Sequence, residues 1–95
     1  MKIVWTRRAT RHLQAAYQYW LGETSEDAAD QMLDRIFSIT EFLERNPEMG
    51  RPGRIATTCE LILSPLPFLL AHRLRRNEIE ILALLHGARK WPITL

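Results

Sequence analysis

Residues 68–86 read FLLAHRLRRNEIEILALLH, two apolar runs, Phe68 to Arg75 and Glu78 to His86, joined at Arg76-Asn77. A two-residue connection between strand-like runs needs left-handed backbone, which asparagine tolerates, so this stretch predicts a β-hairpin. With Arg76-Asn77 as the turn, Arg75 faces Glu78, and counting outward places Arg73 opposite Glu80, Ala71 opposite Leu82 and Leu69 opposite Leu84. Arg73 therefore reads as half of a cross-strand ion pair.

Upstream of the hairpin, Thr57 to Leu63 alternates. Cys59, Leu61 and Leu63 fall on one face, Thr58, Glu60 and Ile62 on the other, and Ser64-Pro65 breaks the run. Gly50-Arg51-Pro52-Gly53-Arg54 before it reads as a turn-rich loop, and Asn46-Pro47 ends a helix. That helix carries Ala29, Met32, Leu33, Ile36, Ile39 and Leu43 on one face, with Thr24 or Ser25 as its cap. A preceding helix, about Arg7 to Leu21, lines up Ala9, Leu13, Ala16 and Trp20, is capped by Thr6 and is expected to stop at Gly22. Lys2 to Trp5 is a short strand. The order is β-α-α-β-β-β, an α+β fold with a helical hairpin packed on a small, mainly antiparallel sheet.

The 95 residues and 46% hydrophobic content fit one domain, 1–95, with a single core. Cys59 is the lone cysteine and cannot close an internal disulfide; it reads as apolar filler. No apolar stretch of signal-peptide length follows the charged N-terminus, and no run approaches the ~18 residues that span a bilayer, so the cytoplasm is the expected location. Eleven of the thirteen basic residues are arginine. Residues 1–22 carry four basic and no acidic groups, residues 23–48 two basic and eight acidic, and residues 49–95 seven basic and three acidic. An acidic second helix set against basic flanks is expected to leave the flanks for an anionic partner.

The element order, taken with Gly50-Arg51-Pro52-Gly53-Arg54, Cys59-Glu60-Leu61, the strand Phe68 to Leu74, and Ile81-Leu82 through Leu85-His86-Gly87-Ala88-Arg89-Lys90-Trp91-Pro92, resembles the RelE/ParE superfamily of bacterial toxins. The Leu-His-Gly-Ala-Arg ending with Trp-Pro, behind Pro67-Phe68 and Arg73, is similar to the ParE-like branch. The resemblance implies a toxin of a type II toxin–antitoxin module, held inactive by an antitoxin protein. One branch cuts mRNA on the ribosome without a metal; the other poisons DNA gyrase.

Against the nuclease branch, the third long strand starts with apolar Phe68-Leu69 and the C-terminal segment has no tyrosine. If cleavage is the activity, His86 and Arg89 are the catalytic candidates, with Lys90, Arg51 and Arg54 as phosphate clamps. The alternative for His86 is a polar strand end bonded to backbone. Arg51, Arg54, Arg89 and Lys90 are the candidates for contacting a target, with solvated charge as the other reading of the loop pair. Arg7, Arg8 and Arg11 on the first helix are expected to attract an acidic antitoxin tail. His12, His72 and His86 have no metal-ligand spacing, and Gly50-x-x-Gly53 follows a helix rather than a strand, so neither metal nor cofactor is expected. An inactive, antitoxin-binding relative is the remaining reading.

Overall fold

A computed structural model describes residues 1–87. The elements are β1 (Lys2–Trp5), α1 (Arg7–Glu23), α2 (Glu26–Arg45), β2 (Arg51–Pro52), β3 (Cys59–Ile62), β4 (Phe68–Arg75) and β5 (Glu78–His86). They form one mixed sheet of five strands in the order β1-β5-β4-β3-β2, with β1 parallel to β5 and the other pairs antiparallel. The α+β architecture is as expected, with one addition. Arg51–Pro52 is a short edge strand rather than loop, because Arg51 pairs with Glu60 and Pro52 with Cys59; at the edge the missing proline N–H is no loss.

The β4–β5 turn has Arg76 at φ 54° and Asn77 at φ 60°, the left-handed pair that a two-residue hairpin requires. Arg75 pairs with Glu78 and Arg73 with Glu80, as counted from the sequence. Beyond that the count is wrong by one: Ala71 pairs with Ala83 and Leu69 with Leu85. A bulge is the cause, since His72 pairs with Ile81 and Leu82 is extra in β5.

The bulge changes which face each later residue occupies. Ile79 and Ile81 pack in the main core against the helices, and strict alternation would send Leu84 to the other side. With one residue inserted, Leu84 joins them, while Leu82, Ala83 and Leu85 form a second buried cluster with Ala71, against which Leu69 packs. Thr6 grips this point. Its amide donates to the Ile81 carbonyl at 3.1 Å and its hydroxyl to the same oxygen at 2.9 Å.

Thr6 also caps α1 by accepting from the Ala9 amide at 3.1 Å, and Ser25 caps α2 by accepting from Ala28 at 3.1 Å. α1 does not stop at Gly22. Thr24 ends it two residues later, its amide and hydroxyl both donating to the Trp20 carbonyl, and with φ in the ordinary range Gly22 simply continues the helix. Met32, Ile36 and Leu43 of α2, with Ala9 of α1, meet Leu63, Phe68, Leu70, Ile79, Ile81 and Leu84 of the sheet and its loops, and Ala29 of α2 is also buried. Tyr17 donates to Asp30 at 2.9 Å between the two helices. Asp27, Asp30, Asp34, Glu41 and Glu44 are exposed, so α2 does present an acidic face.

Candidate functional site

The bulge decides the surroundings of His86. As the partner of Phe68 at the end of β5, it lies on the helix face of the sheet, edge-on to the Phe68 ring at 5.6 Å and to Tyr19 of α1 at 6.5 Å. These three rings and His12 line a cavity of about 250 Å³. Among the described residues, no acid or arginine lines it. His12, about two helical turns nearer the N-terminus than Tyr19, accepts from the Leu84 amide through Nδ1 at 3.2 Å.

Arg51 and Arg54 lie elsewhere. Glu60 aligns with Ala71, which belongs to the cluster on the opposite sheet face from Phe68 and Leu70, and Arg51 aligns with Glu60 at the far edge. Glu60, on the strand face opposite Cys59, Leu61 and Leu63 as the alternation predicts, is only 4% exposed. Its Oε1 accepts from Arg51 Nε at 3.3 Å and Nη2 at 3.2 Å, and its Oε2 accepts from the Arg54 amide at 3.2 Å. The Arg54 side chain is exposed. Thus His86 and the loop arginines stand on opposite faces and do not converge. Arg89 and Lys90 lie outside the described residues.

The remaining candidates fall on structural elements. Arg73 Nε meets Glu80 Oε1 at 2.6 Å, the cross-strand pair the register predicts. Cys59 is half-buried and free. Arg7 and Arg11 are exposed on the first turns of α1, and Arg8 is half-buried and engaged. His72 is fully buried. Its Nε2 must donate to the Met49 carbonyl, 3.2 Å away, which leaves Nδ1 as a buried acceptor with no partner among the described residues. Burial holds its pKa below the usual imidazole value, partly opposed by that hydrogen bond. Among the described residues no cluster of acidic, histidine or cysteine side chains suits a metal ion, and no helix is long and apolar enough to cross a membrane.

Glu60 and His12 are the functional-site residues that sequence reading passed over. Nothing local marks a glutamate on an alternating strand as buried; only the pairing of Arg51 nine residues upstream reveals its counter-charge.

The described residues form a small α+β domain that holds His86 on one face of the sheet and Arg51 and Arg54 on the other. The chain belongs to the family described as the ParE toxin of type II toxin–antitoxin system, parDE, whose sequence model matches residues 3–91. It is 37% identical over 94 residues to the protein Y4kP of Sinorhizobium fredii, covering 99% of this chain and 96% of that one. It is 33% identical over 88 residues to Toxin RelE2 of Caulobacter vibrioides, covering 93% and 97%. A solved structure described as the chromosomal ParDE TA system from P. aeruginosa superposes with a TM-score of 0.84 at 27% identity, covering 92% of this chain and 96% of that one. The protein is a RelE/ParE superfamily toxin of a type II module, and its partner is an antitoxin protein.

Proposed function

We propose that this toxin arrests bacterial growth by binding and poisoning DNA gyrase. The observation that carries the reading is the separation of His86 from Arg51 and Arg54 on opposite faces of the sheet. A nuclease needs a base for the 2′-oxygen, an acid for the leaving oxygen and a phosphate clamp gathered around one phosphate. Among the described residues, aromatic and apolar groups and the His12 imidazole line the cavity beside His86 instead. Binding needs only shape and charge. The target-facing residues in this proposal are Arg54, Arg51, Arg89 and Lys90, the first exposed and the second 59% exposed in its side chain while holding Glu60.

Arg7, Arg8 and Arg11 are proposed to steer an acidic antitoxin tail. All three sit in the first turns of α1, which carries no acidic residue in its first turn. Cations there oppose the helix dipole, so their placement is unfavourable for the helix itself and favourable for a negatively charged partner.

The alternative is ribosome-dependent cleavage of mRNA by His86 and Arg89, favoured by the 33% identity to a toxin of the RelE name. Two assays on the induced toxin separate the readings: gyrase supercoiling with added protein, and mapping of new 5′ ends on ribosome-bound message. Inhibition with intact message is expected. Codon-spaced cuts that vanish in His86→Phe, which keeps the ring contacts, would establish the nuclease. Unimpeded growth with soluble protein present would leave an inactive, antitoxin-binding relative.

A further inference from the structure

We propose that Glu60 is a positioning residue, whose buried carboxylate fixes the segment 51–58 so that Arg54 is presented to a carboxylate-bearing protein surface on the target. The inference rests on the reading of Arg54 as a target contact and adds the group that holds it in place.

A glutamate 4% exposed must be paired to remain charged, and this one is paired on both oxygens. Arg51 occupies Oε1 through two nitrogens, and the Arg54 amide occupies Oε2. One carboxylate thus ties both ends of a short arc of chain to β3. The arc is closed further by the Gly53 amide on the Thr58 carbonyl at 2.8 Å and the Thr58 amide on the Ile55 carbonyl at 3.2 Å. It also lies flush on the strand. Gly50 has φ 106°, and a Cβ there would sit 2.6 Å from the Glu60 carbonyl oxygen, so only glycine brings the loop in at that distance.

The two arginines are then unlike. The Arg51 guanidinium neutralises Glu60, whereas the Arg54 guanidinium has no hydrogen-bond or ion-pair partner among the described residues. Among the described residues its charge is left uncompensated, on a constrained loop. For stability alone a buried carboxylate is a poor choice, since an apolar group of the same volume often serves as well or better. What the carboxylate adds is a fixed address for the Arg54 backbone. A preorganised arginine loses less freedom on engaging a carboxylate in its planar fork.

The test uses the purified full-length toxin. Glu60→Gln keeps the shape, removes the charge and turns one acceptor into a donor facing donors. Hydrogen exchange at the Arg54 amide should accelerate about tenfold or more in this variant. Gyrase inhibition should fall about tenfold in Arg54→Ala and similarly in Glu60→Gln, with the double variant no worse than Arg54→Ala alone and antitoxin binding unchanged. Unchanged exchange at Arg54, additive losses in the double variant, or a parallel loss of antitoxin binding would each overturn the proposal. So would full activity of Arg54→Ala. Should Glu60→Gln fail to fold, Glu60→Asp keeps the charge but draws it back one methylene from the Arg54 amide, and the same outcomes apply. If wild-type toxin leaves gyrase untouched, growth arrest on induction replaces gyrase inhibition as the readout, so the wrong target and the wrong positioning residue are told apart.

Discussion

His12 on α1 and Leu84 on β5, 72 positions apart in sequence, are joined by a hydrogen bond of 3.2 Å from the Leu84 amide to the imidazole Nδ1. β1 covers the edge of β5 only as far as Ile81, and the bulge then turns the Leu84 amide toward α1. His12 thereby closes a gap that the sheet leaves open. Removing it orphans a buried donor, so His12→Ala should lower stability by about 1–3 kcal/mol in urea unfolding. His12→Asn, whose side-chain oxygen can reach the same amide, should recover much of the loss. Equal destabilisation by both would show that packing, not the bond, matters there.

The hairpin register was legible up to Arg73 and Glu80 because turn chemistry and opposite charges agree on it. It failed beyond, at Leu82, because the bulge there, beside the Ile81 carbonyl that Thr6 holds from the other end of the chain, leaves no local sign. The consequence reaches the candidate site, since that one inserted residue turns His86 toward Tyr19 and away from the face on which Glu60 and the loop arginines lie. Helix starts at Thr6 and at Thr24 or Ser25 were readable from side-chain oxygens beside apolar periodicity, and the structure picks Ser25 for the second. The end of α1 was not, because Gly22 signals a stop that Thr24 in fact provides. Glu60 was hidden for a related reason: burial of a charge depends on a partner that only the fold supplies.

His72 gives the fold a pH dependence of definite sign. Its folded pKa lies below the usual imidazole value of 6.5 because burial disfavours the cation. Below that value the unfolded chain takes up the proton more readily than the native one, so stability is fully present above about pH 6.5 and is lost as the pH falls through and below it. Unfolding midpoints between pH 8 and pH 5 should decline, and His72→Gln should flatten that decline. A wild-type profile level across this range would refute the assignment.

Arg7 should separate stability from partner capture. It is exposed at the first position of α1, where a positive charge opposes the helix dipole. Arg7→Glu should therefore raise stability by about 0.3–1 kcal/mol while slowing association with the antitoxin, most at low salt. The two effects have opposite signs, which a general loosening of the fold cannot produce. Association rates unaffected by the reversal would remove Arg7 from the antitoxin surface.

His86 offers the sharpest separation of the two toxin mechanisms, because its present role is visible in ring geometry. It stacks edge-on with Phe68 and Tyr19, and phenylalanine can keep both contacts while carrying no exchangeable proton. Proton transfer by a histidine is worth typically 10²–10⁴ in rate, so a nuclease would lose nearly all growth inhibition in His86→Phe. A gyrase poison would keep most of it, since shape at the end of β5 is preserved. His86→Ala, which opens the cavity against Tyr19 instead, should weaken either kind of toxin through local packing and so cannot discriminate by itself. We expect His86→Phe to arrest growth almost as wild type, with Arg54→Glu far weaker than either. Toxicity abolished in His86→Phe, with antitoxin binding intact, would transfer the activity from binding to catalysis.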